Sequence, residues 1–153
     1  MDLARVQIRE AEPRDARRIA AILDAGSLHP GAEDPEDPTS YAAVIGAFGR
    51  GPSKILVAES EHQVVGVLQL IIIQHLQRRG GVCAELESVH VAPEHRGQGI
   101  GGLLVEDAVR RAAEMGCYRV QLTSNLQRPD AHRFYEAHGF SPSHVGFKRV
   151  IGE

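Results

Sequence analysis

Between Glu85 and Met115 the chain passes from a strand-like run into a turn opened by Pro93. A glycine-dense segment follows, Gly97, Gly99, Gly101 and Gly102, and then helical spacing. No other stretch limits the possible folds as strongly. It reads as a strand (Glu85 to Val91), a loop, and a helix carrying Leu103, Leu104, Ala108, Ala112 and Met115 on one face. Glycine permits φ > 0 and close backbone approach, and successive N–H groups at a helix N-terminus can converge on an anion. Arg96, just before the glycines, adds a fixed charge with several donors. The unit is expected to hold a phosphate or pyrophosphate.

Three phosphate loops share this spelling. A P-loop ends in Gly-Lys-Ser/Thr, where the chain has Gly101-Gly102-Leu103. The dinucleotide fingerprint is matched by Gly97, Gly99 and Gly102, but it needs an acid at the end of the next strand. That strand, Arg119 to Thr123, runs out into Thr-Ser-Asn, and little sequence remains for a nucleotide-binding sheet. The third spelling, Arg/Gln-x-x-Gly-x-Gly/Ala, is met by Arg96-Gly97-Gln98-Gly99-Ile100-Gly101. A second block follows in order: a strand leading to Asn125, then Asp130-Ala-His-Arg-Phe-Tyr-Glu-Ala-His-Gly-Phe140.

With both blocks present, the chain resembles the GNAT superfamily of acyl-CoA-dependent N-acyltransferases, strongly from Glu85 to Phe140 and weakly before. Within it, the stretch from Thr123 to Tyr135 and the tail from Ser141 to Lys148 look similar to aminoalkylphosphonate and other small-amine acetyltransferases. The resemblance implies an acetyl group moved from acetyl-CoA, as cosubstrate, to the amine of a small molecule by direct transfer. A non-catalytic acetyl-CoA sensor, or a protein N-acetyltransferase, is the alternative.

Composition bounds the rest. At 153 residues, the chain is expected to be one domain, residues 1–153. A hydrophobic fraction of 42% with 24% charged residues suits a soluble globular protein. The net charge of −3 argues against a nucleic-acid partner. Apolar runs such as Leu70 to Ile73 are far too short for a bilayer, and Met-Asp-Leu-Ala-Arg lacks a signal peptide's apolar region. Cys83 and Cys117 lack metal or CxxC spacing and read as small core residues of a cytoplasmic protein. No two of the eight histidines stand at i, i+4, so no metal site is expected.

In chain order, Val6 and Ile8 mark a first strand, and Arg14 to Ala25 a helix stopped by Gly26. Ser27 to Thr39, with three prolines and four acids, is a loop; Thr39 or Ser40 then caps a second helix bearing Tyr41, Val44, Ile45 and Phe48. Lys54 to Ser60 and Val64 to His75 form a hairpin around Glu61-His62-Gln63, and Arg78 to Gly81 turns into the strand Val82 to Val91. Arg119 to Thr123 should lie parallel to that strand, and Val145 to Val150 is expected as a last strand. The expected fold is α+β: a mixed, twisted sheet with helices on both faces and a splayed parallel pair at which the coenzyme binds.

The resemblance assigns roles residue by residue. Main-chain groups of Val89, His90 and Val91 would hold pantetheine, and Arg96, Gly97, Gln98, Gly99, Ile100, Gly101 and Gly102 the pyrophosphate, with Asn125 also touching the coenzyme. Tyr135, whose phenol is protonated at neutral pH, would give its proton to the leaving thiolate. Glu85 and Glu87 lie two apart in a strand and so share a face; paired carboxylates raise one another's pKa. Glu87 is preferred as general base, with Glu85 or water as the other candidates. Because the loop between the first two helices is acidic, a cationic amine is the expected acceptor. Small members of this family often pair, so a homodimer is a possibility.

Overall fold

Alternation of Val6 and Ile8 with polar neighbours produces β1 (Val6–Glu10), which pairs antiparallel with β2 (Lys54–Ser60). A computed structural model describes residues 1–152, in which β2, β3 (Gln63–Gln74) and β4 (Val82–Val91) continue the antiparallel order and β5 (Val120–Gln121) joins β4 in parallel. The β2–β3 turn is tighter than the sequence suggests. Glu61 and His62 take φ of 50° and 64°, the left-handed geometry of a two-residue hairpin, while Gln63 already pairs with Ser60.

Each face of the sheet carries its own helices. α1 (Ala16–Gly26) and α2 (Thr39–Gly49) cover one side, where Ile19, Ile22 and Ile45 pack on Val57, Val64 and Val67. α3 (Ile100–Glu114) covers the other, burying Ile100, Leu104, Val105, Ala108 and Ala112 against Leu56, Leu68, Leu70 and Leu86. The face proposed for this helix needs two corrections: Leu103 is only half-buried and outside the core cluster, Met115 lies just past the helix end and is exposed, and Ile100 and Val105 take up the inward positions. α4 (Pro129–Ala137) follows β5 and packs Phe134 and Tyr135 against the same core cluster as α3. Among the described residues, no helix is long and apolar enough to cross a membrane.

Three other expectations change. Neither Thr39 nor Ser40 caps α2; Pro38 occupies the cap position, and Asp37 Oδ1 accepts from the backbone N–H of Thr39. The parallel strand is Val120–Gln121 rather than Arg119 to Thr123, because β5 leaves β4 after two rungs. The last strand from Val145 to Val150 does not form. A strand needs a free edge of comparable length, and β5 offers two residues; Pro142, at the entry to the tail, also lacks an N–H to donate. Both cysteines are free, Cys83 buried and Cys117 half-buried.

Candidate active site

The separation of β4 from β5 creates the site. Their ladder consists of Ala84 with Val120 and Glu85 with Gln121, so from Leu86 to Val91 the outer edge of β4 has no strand beside it. Unpaired main-chain groups of this kind need another partner, and an extended amide-bearing ligand can supply one.

Within the same stretch the β3–β4 register shifts by one residue, and Ser88 takes φ of 53°. This bulge sets Glu87 opposite Gln69 and His90 opposite Val67. Residues three apart in a regular strand face opposite ways; the extra residue puts Glu87 and His90 on the same side as the α1–α2 layer. The sequence gives no sign of this bulge. The regular register before it keeps Glu85, opposite Ile71, on that side too.

Beyond β4, the glycines divide into two pairs with different work. Gly97 and Gly99 take φ of 73° and 89°, which side-chain-bearing residues rarely adopt. Gly101 and Gly102 instead make room for α4: a Cβ at Gly102 would stand 2.9 Å from His138 Cε1, and one at Gly101 3.4 Å from Phe134 Cζ. Among the described residues, the backbone N–H groups of Gly97, Gln98, Gly99, Ile100, Gly101 and Gly102 find no protein acceptor. They form a run of orphan donors entering the N-terminus of α3, the arrangement that favours an anion. Gln98 Oε1 is buried beside them without a partner. Arg96 donates from Nε to the Val91 carbonyl at 3.1 Å, which ties the loop to the end of β4 while its side chain stays exposed.

Tyr135 projects from α4, half-buried and held edge-on by Phe134 and Phe140 at centroid distances of 5.1 and 5.8 Å. Burial lifts its phenol above the ordinary value, opposed by Arg128 and assisted by the Glu87 carboxylate. The group therefore keeps its proton at neutral pH, and it lies near enough to Glu87 to feel that carboxylate's charge. Glu87 is exposed on the strand, but desolvation by the groups around it and the charge of Glu85 raise its pKa, with Lys148 pulling the other way. His90 is driven toward the neutral form by burial and by Arg128 and Arg96.

The fold adds contacts to this neighbourhood that spacing along the chain does not show. The His90 ring lies directly against Gly26, where no side chain would fit, and Arg128 Nη2 donates to the Gly26 carbonyl at 2.6 Å, binding α1 to the start of α4. Lys148 belongs to the tail assigned to a strand. Asn125 is exposed; its Oδ1 accepts from the Gln127 N–H at 2.8 Å and its carbonyl contacts His132, so its contacts in the structure are local ones. Alongside β4, a cavity of about 350 Å³ opens between α1, α2 and the sheet, lined in part by Glu33, Tyr41, Gln69 and Ser88. No trio of His, Cys, Asp or Glu is placed to hold a metal among the described residues.

An orphan-amide loop at a helix start, beside a splayed parallel pair, makes this an α+β fold suited to an anionic, amide-bearing ligand. Residues 16–140 match the model of the Acetyltransferase (GNAT) family, and the chain belongs to that family. An aminoalkylphosphonate N-acetyltransferase from Salmonella typhimurium is 35% identical over 58% of this chain, a stretch that takes in only 57% of that protein's length. A glucosamine 6-phosphate N-acetyltransferase from Schizosaccharomyces pombe is 30% identical over 62% of this chain and 85% of its own. Among solved structures, one described as a transcriptional regulator from Bacillus halodurans C-125 superposes with a TM-score of 0.89 at 38% identity, covering 95% of this chain and 99% of that one.

Proposed function

We propose that residues 1–153 form one acetyltransferase domain that transfers the acetyl group of acetyl-CoA directly to the amine of a small molecule. The observation that carries this reading is the run of six orphan amides from Gly97 to Gly102, placed beyond the unpaired edge of β4 and near Tyr135. These residues suit the coenzyme: N–H donors for its diphosphate, and a free strand edge at Val89, His90 and Val91 for its pantetheine arm. Arg96 adds charge at the loop, and exposed Asn125 is free to meet the coenzyme as the resemblance implies. The Val91 carbonyl is already partly engaged by Arg96, which leaves Val89 and His90 more of the pantetheine contact.

When bound, acetyl-CoA supplies an activated thioester carbonyl. The chain supplies the proton chemistry. Tyr135 holds a proton at neutral pH and delivers it to the departing sulfur; Glu87, its pKa raised by desolvation and by Glu85, takes the proton from the attacking amine directly or through water. Glu85 acts chiefly on Glu87 in this scheme. His90 stays neutral beneath Gly26 and adds no charge beside the thioester.

The same proposal places the protein in the cytoplasm, acting on a free amine with no nucleic-acid or membrane partner, as a homodimer. The substrates named for the relatives, an aminoalkylphosphonate and an amino sugar phosphate, are candidates for the acceptor. One observation favours a regulatory alternative, the description of the Bacillus halodurans structure as a transcriptional regulator. Calorimetry with acetyl-CoA, followed by thiol release over a panel of small amines, separates the two. Binding with turnover is expected; tight binding without turnover on any amine would make the protein a sensor, and absence of binding would remove the coenzyme site.

A further inference from the structure

The cavity beside β4 has a direction. It is lined by Ser88 on β4, Gln69 and Val67 on β3, and Ile55 on β2, so it runs across three neighbouring strands, away from the β4–β5 splay. At the ordinary strand spacing that is a reach of about 10 Å. Its volume of about 350 Å³ is at the small end for ligand pockets. Polarity changes along this line. Toward β4 stand Ser88, Gln69 and Glu33, the last close enough to His90 to influence its charge. Toward β2 the walls are Ile55, Ile45 and Val44.

Glu33 is held in place. Tyr41, from α2, donates its hydroxyl proton to Glu33 Oε2 at 2.6 Å and accepts from the Asp34 N–H at 2.9 Å. Among the described residues, no lysine, arginine or histidine lines the cavity, so its one charged group is a carboxylate. A phosphate or phosphonate placed here would lose its hydration without gaining a cation. A hydrocarbon body would gain by leaving water, roughly 0.8 kcal/mol for each buried methylene.

Resting on the proposed acetyl transfer, we infer that this cavity is the acceptor chamber for a primary amine on an uncharged apolar body, alkyl or arylalkyl, whose ammonium is drawn in by Glu33 and whose body lies along Ile45 and Ile55. The chain would then differ in substrate class from the phosphonate and sugar-phosphate enzymes it resembles. Glu33 recruits the cation; the nitrogen loses its proton only on reaching Glu87.

The test compares kcat/KM for hexylamine and phenethylamine with that for aminoethylphosphonate, in the full chain at saturating acetyl-CoA. At least a tenfold preference for the apolar amines is expected, and a smaller ratio or the reverse order overturns the inference while leaving acetyl transfer intact. Two variants sharpen the result. Glu33→Gln should raise KM for hexylamine at least fivefold with the KM for acetyl-CoA unchanged. Val44→Arg, at a position 47% exposed and therefore roomy, should narrow the preference at least tenfold by placing a cation at the apolar end. Unaltered selectivity in both variants would show that the acceptor sits elsewhere. Absence of turnover with every amine removes the proposed function and this inference together, a failure distinct from a wrong order of preference.

Discussion

At the scale of single residues, Tyr135 and Glu87 are separable because they handle different protons. Tyr135→Phe keeps the ring between Phe134 and Phe140 and removes only the O–H, so acetyl-CoA affinity should hold while kcat falls at least tenfold. A rate like that of the unaltered protein would take Tyr135 out of the chemistry. Glu87 works only when deprotonated, and desolvation with Glu85 raises its pKa. The acidic limb of kcat/KM should therefore fall at a pH above the ordinary carboxylate range, and Glu87→Gln should remove that limb along with most of the rate. A limb that persists unchanged in the variant would pass the role to Glu85 or to water.

At the scale of elements, what could be read from sequence was whatever depends on neighbours along the chain. β2 falls on Lys54–Ser60 because Gly51-Pro52 and Glu61-His62 punctuate it locally, whereas α3 starts at Ile100, earlier than the spacing predicts, and takes Gly101 and Gly102 into its first turn. Glu85 and Glu87 share a face, as period-two reasoning requires, but the bulge at Ser88 depends on β3 and turns His90 into the site unannounced. The four glycines look alike in sequence, and only the contacts of Phe134 and His138 distinguish packing from turn-making.

The same dependence on distant partners hides an ion-pair network that fastens α1 to the sheet. Arg9, on β1, bonds Asp15 at 2.8 and 3.1 Å and Glu59, on β2, at 2.6 Å, while Asp15 also accepts from the Glu12 N–H. Burial pushes the Asp15 carboxyl up, but the Arg9 bonds and the Glu12 amide outweigh it and hold the pKa below its ordinary value. A depressed folded-state pKa means the stabilisation is present above the ordinary carboxylate pKa and is lost as pH falls through the folded value. Asp15→Asn leaves the half-buried Arg9 charge half-compensated and should cost about 3 kcal/mol. That is a fall in Tm of roughly 5–10 °C at neutral pH, narrowing in acid. An equal deficit at every pH would mean that packing, rather than charge, fastens the helix.

At the scale of the whole molecule, the unformed last strand is the feature that a single copy leaves unsettled. Val145, Phe147, Val150 and Ile151 are 78%, 93%, 85% and 94% exposed, a concentration of apolar surface in a segment whose sequence favours extended structure. β5 pairs with β4 alone, so its outer side is an open edge. That edge is too short to hold the tail, but a second copy answers the exposed apolar surface, since two tails packed together take their side chains out of water, each gaining about 1.5–3 kcal/mol when fully buried. The arrangement would bear on catalysis, because Lys148 within this tail already lowers the pKa of Glu87. Sedimentation at micromolar concentration should show a dimer, and Val145→Asp with Phe147→Asp should shift it to monomer and move the acidic limb of kcat/KM upward as Lys148 loses its fixed place. A monomer in the unaltered protein would mean that the tail stays in water or folds on its own chain.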